Sequence, residues 1–404
     1  MVHDRILFYY QLYYLVPMIS QKKNTHFQED ILRELSTIQK KDFTFSNGHI
    51  LGSMCTAPHP IAKKAYLKFL ETNLGDPELF PGTKELETRF IQFILKLLHA
   101  PKTATGHIVS GGTEGNITAM WIAKELTRKN EIIIPESAHF SFAKIASMMD
   151  VNLRLVPLTS EYIMDINKVR KNITKNTAAV VAVAGSTELG TIDPIPELSD
   201  LCNDEHLFLH VDAAFGGFVI PFLHELGYEV PDFDFQLQGV STICVDSHKM
   251  GWSAIPMGTL CIRKNSWLKE ISVKSPCISS KTQAGILGTR PGGPIAAAYA
   301  VTKYLGCDGY TKLVKRCMQT TQYMEKQIMT IGLSVVQQPT MNVLGVRIKN
   351  PQKLVNRLSQ KGWRVNAVEH LSCIRLVMMP HVTKKIVDDF IPVLKKTCEE
   401  IREL

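Results

Sequence analysis

Short apolar runs that alternate with amphipathic segments are the feature that most constrains the fold of this chain. Seven runs rich in β-branched residues lie at 106–110, 131–135, 152–158, 177–184, 207–211, 241–245 and 257–262. Helical patterns separate several of them, at 84–98, 114–126, 140–149 and 196–203. Continuous apolar strands that alternate with helices are typical of a mostly parallel sheet buried on both faces. The pattern therefore predicts an α/β domain with a mostly parallel, seven-stranded sheet.

The pattern changes after residue 293. A long helical tract at 295–331 precedes strand candidates at 333–337, 342–348, 363–367 and 372–379 and helical segments at 352–361 and 384–402. This mixture predicts a small α+β domain. We therefore expect an N-terminal extension with a helical arm at 1–50, a large domain at 51–293 and a small C-terminal domain at 294–404.

Composition and charge narrow the classes of function. The 404 residues include 46 Lys and Arg against 38 Asp and Glu, and 45% are hydrophobic, which excludes disordered, collagen-like and coiled-coil chains. The basic residues form scattered pairs rather than a long run, so we expect no nucleic-acid partner. Nine scattered cysteines without a CxxC pair argue against a zinc site and are typical of a reducing cytoplasm.

An apolar, tyrosine-rich stretch lies at 6–19. It is shorter than the about 20 residues that a membrane span requires, and Gln11 and Pro17 interrupt it. The residues that follow offer no small-residue cleavage site for a signal peptide. We therefore expect no membrane association, and interpret the stretch as a poorly ordered extension or as a sign that translation starts at Met18.

Ligands of open α/β sheets bind at the carboxyl ends of the strands, and the first polar motif at such an end is Ser110–Asn116. Its glycines permit close approach of the backbone, Thr113 adds a hydroxyl, and the following helix N-terminus offers free N–H groups. This combination suits a phosphate group, although a plain glycine turn is the alternative. The motif matches neither a Walker loop nor a dinucleotide fingerprint.

Two further strand ends carry a carboxylate and an amine. Asp212 ends a buried strand, where its charge is costly unless a cation such as a protonated ring nitrogen meets it; otherwise it caps the next helix. Lys249 follows another buried strand, where we expect desolvation to lower its pKa and free the amine; a surface lysine is the alternative. The three features, in this order on one sheet, fit pyridoxal 5′-phosphate (PLP).

Longer motifs occur in order between about residues 51 and 393. They are GSMCTAPHP (52–60), NLGDPELFPGT (73–83), GHIVSGGTEGN (106–116), AHFSFAK (138–144), GSTELGTID (185–193), HVDAAFGGFVIPF (210–222), DSHKMG (246–251) and ILGTRPGG (286–293). On these motifs the chain resembles the group II PLP-dependent decarboxylases of fold type I, and among them the archaeal L-tyrosine/L-aspartate decarboxylases.

The resemblance implies catalytic roles for two residues. Lys249 would form the Schiff base with PLP, and His139 would stack on the ring near the scissile carboxylate. Asp212 would pair with the ring nitrogen while Ala214 packs against the opposite ring face.

The resemblance also implies further contacts with the cofactor and the substrate. The remaining cofactor contacts are Gly112, Thr113, Ser247 and His248 at the phosphate and Thr187 near the 3′ oxygen. Arg375 is expected to meet a substrate carboxylate. Arg290 is a second anionic anchor, with a domain-interface salt bridge as the alternative.

One segment departs from the family pattern. These decarboxylases usually carry a loop tyrosine that protonates Cα, whereas this chain has Cys277 at that place. A cysteine can donate a proton, since its reference pKa of about 8.5 is lower than the about 10 of tyrosine, but its reach is shorter. His139 or Lys249 could replace it, so the proton donor stays open.

The function implied by the resemblance is decarboxylation of an L-amino acid. The products would be tyramine from L-tyrosine, for methanofuran, or β-alanine from L-aspartate, for coenzyme A, made by a cytoplasmic homodimer with sites at its interface. The alternatives are a glutamate-type decarboxylase and a PLP-dependent carbon–carbon lyase, since GTRPGG at 288–293 also resembles the GSRPGG of that family. A non-catalytic scaffold would not need the pair of Asp212 and Lys249.

Overall fold

A computed structural model describes residues 24–276 and 279–403 of the chain. It contains two compact units that meet in sequence between Thr44 and Phe45. In the first unit, helix α1 spans Asn24–Gln39 and carries exposed apolar side chains such as Phe27 and Leu35. The tyrosine-rich stretch at 6–19 and Met18 lie outside the described residues. Within the described ranges, no helix is long and apolar enough to cross a membrane.

The second unit contains the predicted seven-stranded sheet. Its strands are β1 (Thr105–Val109), β2 (Glu131–Pro135), β3 (Asn152–Val156), β4 (Thr177–Val183), β5 (Phe208–Asp212), β6 (Val240–Val245) and β7 (Gly258–Ile262). Their order is β1-β7-β6-β5-β4-β2-β3. Strand β7 is antiparallel to both neighbours and the other pairs are parallel. The prediction of a mostly parallel α/β sheet is confirmed.

Burial explains why these segments read as continuous apolar runs. Every residue of β4, β5, β6 and β7 is buried. A strand covered on both faces needs apolar side chains at each position, not at alternate ones.

Helices surround this sheet. They are α2 (Pro60–Lys68), α3 (Pro81–Leu97), α4 (Gly112–Thr127), α5 (Ser141–Met149), α6 (Ile166–Asn172), α7 (Ile195–Asp204) and α8 (Ile220–Glu225). Short 3-10 helices lie at Phe45–Asn47, Gly216–Phe218, Asn265–Ile271 and Glu369–Leu371. The sequence pattern did not predict α2, α6 and α8, which have only a few turns on which a helical period could show.

The C-terminal part holds a second, smaller sheet. Its elements are helix α9 (Gly292–Thr330), β10 (Val343–Arg347), α10 (Pro351–Gln360), β11 (Asn366–Val368), β12 (Cys373–Val377) and α11 (Lys384–Ile401). The sheet is antiparallel, in the order β10-β12-β11. The predicted strand at 333–337 is wrong: Val335 makes only an isolated bridge to Val346, because an apolar run forms a strand only where backbone pairing continues along it.

A small hairpin precedes α9. Strand β8 (Val273–Lys274) pairs with β9 (Thr282–Gln283). Residues 277 and 278 lie between them and outside the described residues, so the structure does not test the interpretation of Cys277. The predicted domain limits at 50/51 and 293/294 also stay predictions.

Candidate active site

One cavity of about 340 Å³ opens at the carboxyl ends of β1, β4, β5 and β6. Most of the predicted site residues line it: Gly112, Thr113, His139, Thr187, Asp212, Ala214, His248 and Lys249. Ser247, Arg375 and Arg290 are not among the lining residues. The carboxyl ends of neighbouring strands share one edge of the sheet, which is why motifs far apart in sequence meet here.

The N-terminus of α4 forms one wall of the cavity. The helix begins at Gly112 without a side-chain cap on its first N–H groups. A Cβ at Gly112 would lie 3.1 Å from the Ala214 Cβ and 3.2 Å from Asp246 Oδ2, so a larger residue would crowd this wall. Uncapped N–H groups at a helix start bind anions well.

Ser247 lies beside the cavity, almost fully buried. Its Oγ has no hydrogen-bond partner within the part of the chain that the structure describes. A buried hydroxyl without a partner is costly. It is therefore free to bind an added group such as a phosphate.

Asp212 ends β5 at the cavity wall and is 6% exposed. Its Oδ2 accepts a hydrogen bond from Asn116 Nδ2 at 2.7 Å, and its Oδ1 accepts one from the backbone N–H of Ala214 at 3.1 Å. Both donors are neutral. The carboxylate is thus oriented, and its charge can serve a cationic ring nitrogen.

Lys249 has its Nζ 3.4 Å from Asp246 Oδ2. Burial disfavours its ammonium, but the negative charges of Asp246 and Asp212 outweigh burial, so the pKa of Lys249 lies above its usual value. The expectation that desolvation lowers this pKa is wrong for the protein without cofactor, because it neglected the two carboxylates. His248 adjoins the same carboxylate, with its Nε2 3.7 Å from Asp246 Oδ2.

His139 lies just before α5. Its Nδ1 accepts a hydrogen bond from the Ser141 backbone N–H at 3.2 Å, so the neutral ring carries its proton on Nε2. Burial lowers the pKa of His139 and favours this neutral form. The ring is tilted against Phe140, with 4.0 Å between their centroids.

Arg375 lies on β12, close to the cavity wall. Its Nη1 donates to the carbonyl of Thr187 at 2.7 Å and its Nη2 to the carbonyl of Gly52 at 2.5 Å. Burial lowers the pKa of this guanidinium. The charge predicted to meet a substrate carboxylate is therefore held directly behind Thr187, a residue of the cavity wall.

Arg290 is placed elsewhere. Its Nη1 donates to Glu87 Oε1 at 2.8 Å and to the Ile108 carbonyl at 3.3 Å. Its Nη2 donates to the Leu74 carbonyl at 3.4 Å. This placement agrees with the salt-bridge alternative, and nothing in it supports a role as substrate anchor.

Four polar residues that line the cavity were not predicted as site residues: Ser110, Asn116, Ser137 and Asp246. Asp246 directly follows buried strand β6, the same signal that identified Asp212 after β5. Asn116 carries no comparable signal, because its contact with Asp212 depends on how α4 packs on the sheet.

The cavity fits PLP. It offers uncapped N–H groups and an unpartnered hydroxyl for the phosphate, an oriented carboxylate for the ring nitrogen and an amine for the aldehyde.

Comparison with known proteins agrees with this chemistry. The family described as pyridoxal-dependent decarboxylase conserved domain matches residues 69–336. The chain is 45% identical to the L-aspartate/L-glutamate decarboxylase of Pyrococcus horikoshii, over 91% of this chain and 97% of that protein. It is 46% identical to the probable L-tyrosine/L-aspartate decarboxylase of Methanothermobacter thermautotrophicus, over 89% of this chain and 99% of that protein.

A solved structure extends the comparison to the fold. The sphingosine-1-phosphate lyase of Burkholderia pseudomallei matches with a TM-score of 0.85 and 27% identity, over 92% of this chain and 90% of that chain. Together these similarities confirm the resemblance that the motifs indicated and the fold type it implied.

Proposed function

Because this chain belongs to the pyridoxal-dependent decarboxylase family and is a PLP-dependent carboxy-lyase, we propose that it removes the α-carboxyl group of L-aspartate, L-tyrosine or both. The products are then β-alanine and tyramine. The convergence of Lys249, Asp212, His139 and the start of α4 on one cavity carries this proposal. Both relatives are named for L-aspartate, one of them also for L-tyrosine and the other also for L-glutamate, which supports L-aspartate most directly.

Each wall of the cavity has a part in holding the cofactor. The N–H groups at the start of α4, with Thr113, Ser247 and His248, hold the phosphate; Asp212 holds the ring nitrogen and Lys249 the aldehyde carbon. When bound, PLP supplies a ring that accepts the electron pair left at Cα as CO₂ departs.

The protein's own residues then control charge and protons. His139, kept neutral by burial, adds no positive charge beside the substrate carboxylate, and the poor solvation of that place favours loss of the negative charge as CO₂. Cα next needs a proton. Lys249 Nζ is the better donor within the described residues, because the negative charge of Asp246, whose Oδ2 lies 3.4 Å away, favours its protonated form.

Substrate binding involves Arg375 in this proposal. Its guanidinium already donates to Thr187 and Gly52 carbonyls, and one of these bonds would be exchanged for a bond to the substrate carboxylate. A charge-assisted hydrogen bond to a carboxylate is stronger than one to a neutral carbonyl, so the exchange is favourable.

We further propose a cytoplasmic homodimer with active sites at its interface. The cysteines of the described part are free, which supports a reducing compartment. In such a cell β-alanine would serve coenzyme A synthesis, and tyramine would serve methanofuran synthesis. Light scattering of the purified protein measures the oligomeric state.

The test of the main proposal is product identification. The enzyme loaded with PLP is incubated separately with L-aspartate, L-tyrosine and L-glutamate, and CO₂ and the amine are quantified. We expect β-alanine, tyramine or both, with D-aspartate as the unreactive control. Release of CO₂ from L-glutamate alone, or from none of the three, would contradict the proposed substrates.

A carbon–carbon lyase is the second candidate. It is supported by the match to the solved lyase at 27% identity and by GTRPGG at 288–293. A phosphorylated amino alcohol would then be cleaved between its amine-bearing and hydroxyl-bearing carbons, which yields an aldehyde and a phosphorylated amine but no CO₂. That result, without turnover of the amino acids, would favour the lyase.

A further inference from the structure

A row of buried polar side chains leads from β6 to the carboxylate of Asp212. Thr242 Oγ1 lies 2.8 Å from His210 Nδ1, His210 Nε2 lies 3.0 Å from Asn116 Oδ1, and Asn116 Nδ2 lies 2.7 Å from Asp212 Oδ2. Thr242, His210 and Asn116 are each 0% exposed. Water therefore does not substitute for any member of the row.

The chemistry of the groups sets one direction for these hydrogen bonds. An ionised carboxylate only accepts, so the Asn116 amide must present its NH₂ to Asp212 and its oxygen to His210. The oxygen only accepts, so His210 carries its proton on Nε2, and its Nδ1 accepts from the Thr242 hydroxyl. Burial lowers the pKa of His210 to about 4, which keeps the ring neutral with a single proton.

Two neighbours favour this orientation of the Asn116 amide: the Asp212 carboxylate, which accepts from Nδ2, and His210, whose Nε2–H donates to Oδ1. An amide turned by 180° would place its oxygen against the Asp212 carboxylate, where two acceptors repel. The other neighbour of the amide, Ser141 Oγ at 3.1 Å, can donate or accept and so tolerates either orientation. A neutral histidine with its proton on Nε2 tolerates only one.

We propose that His210 is a positioning residue for the cofactor, which fixes the amide of Asn116 as a donor and thereby aligns the Asp212 carboxylate with the ring nitrogen of PLP. His210 is not among the residues that line the cavity, so it acts through Asn116. The inference rests on the part proposed above for Asp212.

The test compares two substitutions at this one position. His210→Leu removes the donor and the acceptor, whereas His210→Gln keeps an N–H for Asn116 and an oxygen for Thr242. The dissociation constant of PLP is measured by titrating the cofactor-free protein, and the absorbance of the bound cofactor is followed against pH. Thermal unfolding of each cofactor-free variant reports on folding.

We expect His210→Leu to weaken PLP binding by up to about 10-fold, the upper end for loss of a hydrogen bond between neutral groups. The pH dependence of the cofactor absorbance should shift as well. His210→Gln should recover most of the affinity and the original pH dependence. Equal impairment by both substitutions, or unchanged affinity and spectra in a folded His210→Leu protein, would overturn the proposal.

A double-mutant cycle separates positioning from general packing. If His210 acts through Asp212, then His210→Leu should add little to the loss of affinity already caused by Asp212→Asn. Full additivity would show that His210 acts independently of the carboxylate and would refute the inference.

Thr242→Val gives a milder variant in case His210→Leu does not fold. It removes the hydroxyl that donates to His210 Nδ1, and we expect weaker PLP binding by a few-fold. Thr321→Val is the matched control, since Thr321 is equally buried and its hydroxyl bonds only within helix α9, to the Cys317 carbonyl. Equal PLP affinities of the Thr242→Val and Thr321→Val proteins would count against the proposed positioning role of His210.

These measurements need no turnover. If the wild-type protein binds PLP but releases CO₂ from no amino acid, the proposed function fails. The positioning role of His210 is then still tested by the PLP affinity and the absorbance of the bound cofactor. If the enzyme decarboxylates normally and the double-mutant cycle of His210 and Asp212 is additive, only the positioning role of His210 fails.

Discussion

Two buried clusters of charge in the second unit differ in how completely their polar atoms are paired. In the first, Glu87 is 3% exposed and both its oxygens have cationic partners, Lys84 and Arg290. The guanidinium of Arg290 also donates hydrogen bonds to the carbonyls of Ile108 and Leu74. This cluster has no unmet carboxylate oxygen.

The cavity cluster is built from similar groups and is left incomplete. Asp246 is 2% exposed, and its Oδ1 has no hydrogen-bond partner within the described ranges. Lys249 lies 3.4 Å from the other oxygen, and Ser247 Oγ is also unpartnered. Buried polar atoms without partners cost free energy. Completeness of pairing thus separates a structural ion pair from one that awaits a ligand, and the following predictions test that distinction.

Lys249→Ala should give the largest effect. Loss of the amine that holds the cofactor should lower kcat/KM for decarboxylation by about 10³-fold or more. CO₂ release under PLP saturation measures it. Lys264→Ala, at an exposed lysine, is the control. A similar loss of kcat/KM in both variants would contradict a catalytic role of the cavity cluster.

Arg290→Met should mainly affect stability. It leaves the Glu87 carboxylate buried with one partner fewer, which should lower the free energy of unfolding by about 3–5 kcal/mol, as removal of one partner from a buried pair does. Urea unfolding measures the change. The double substitution Glu87→Leu with Arg290→Met should recover most of the stability.

The same variant tests the predicted role of Arg290 as a substrate anchor. That role would instead raise KM in a protein of unchanged stability. Such a result would show that the first cluster is functional and would break the comparison.

His107→Leu should reduce the sensitivity of the fold to acid. Burial, helped by the charge of Arg290, lowers the pKa of His107 to about 4. The unfolded chain, with a histidine pKa of about 6.5, therefore binds the proton first, so stability present at pH 7 is lost as pH falls from about 6.5 to 4.

The loss attributable to His107 is up to about 3 kcal/mol. Urea unfolding at pH 7 and pH 5 should show a smaller difference for His107→Leu than for the wild type. The flattening is partial, since His210 acts in the same direction. An unchanged difference would disprove the contribution of His107.

Asp246→Asn should have the smallest effect, on a pH profile. The negative charge of Asp246 helps to raise the pKa of Lys249, so its removal should shift the pH dependence of PLP capture by the cofactor-free protein to lower pH. Stopped-flow absorbance measures capture. The exposed residue Asp200 provides the control Asp200→Asn. Equal pH profiles of PLP capture for the wild type, Asp246→Asn and Asp200→Asn would show that Asp246 does not influence the pKa of Lys249.

The fold could be predicted where burial alone determines the residue types. Strands β4 to β7 are covered on both faces, so their sequences are apolar throughout and their limits could be read closely. The isolated bridge of Val335 to Val346 could not be predicted in this way, because the number of paired residues depends on the partner strand as well as on the apolar run.

The site could be predicted in part for a related reason. Asp212 and Lys249 follow buried strands, and the carboxyl ends of those strands share one edge. His210 and Asn116 are 94 positions apart, and their contact arises only from the packing of α4 on β5. The direction of the pKa shift of Lys249 could not be predicted from burial alone, because it also depends on the charges of Asp246 and Asp212.

Helix α9 links two of the hydrophobic cores of the second unit. Its first half contributes Ile295 and Val301 to the core around the large sheet, and its last turns contribute Met324 and Ile328 to the core of the small one. Non-helical dihedral angles interrupt it only at Gly306. Because loss of either core would leave part of this helix without packing, we expect both cores to melt cooperatively, as one calorimetric transition.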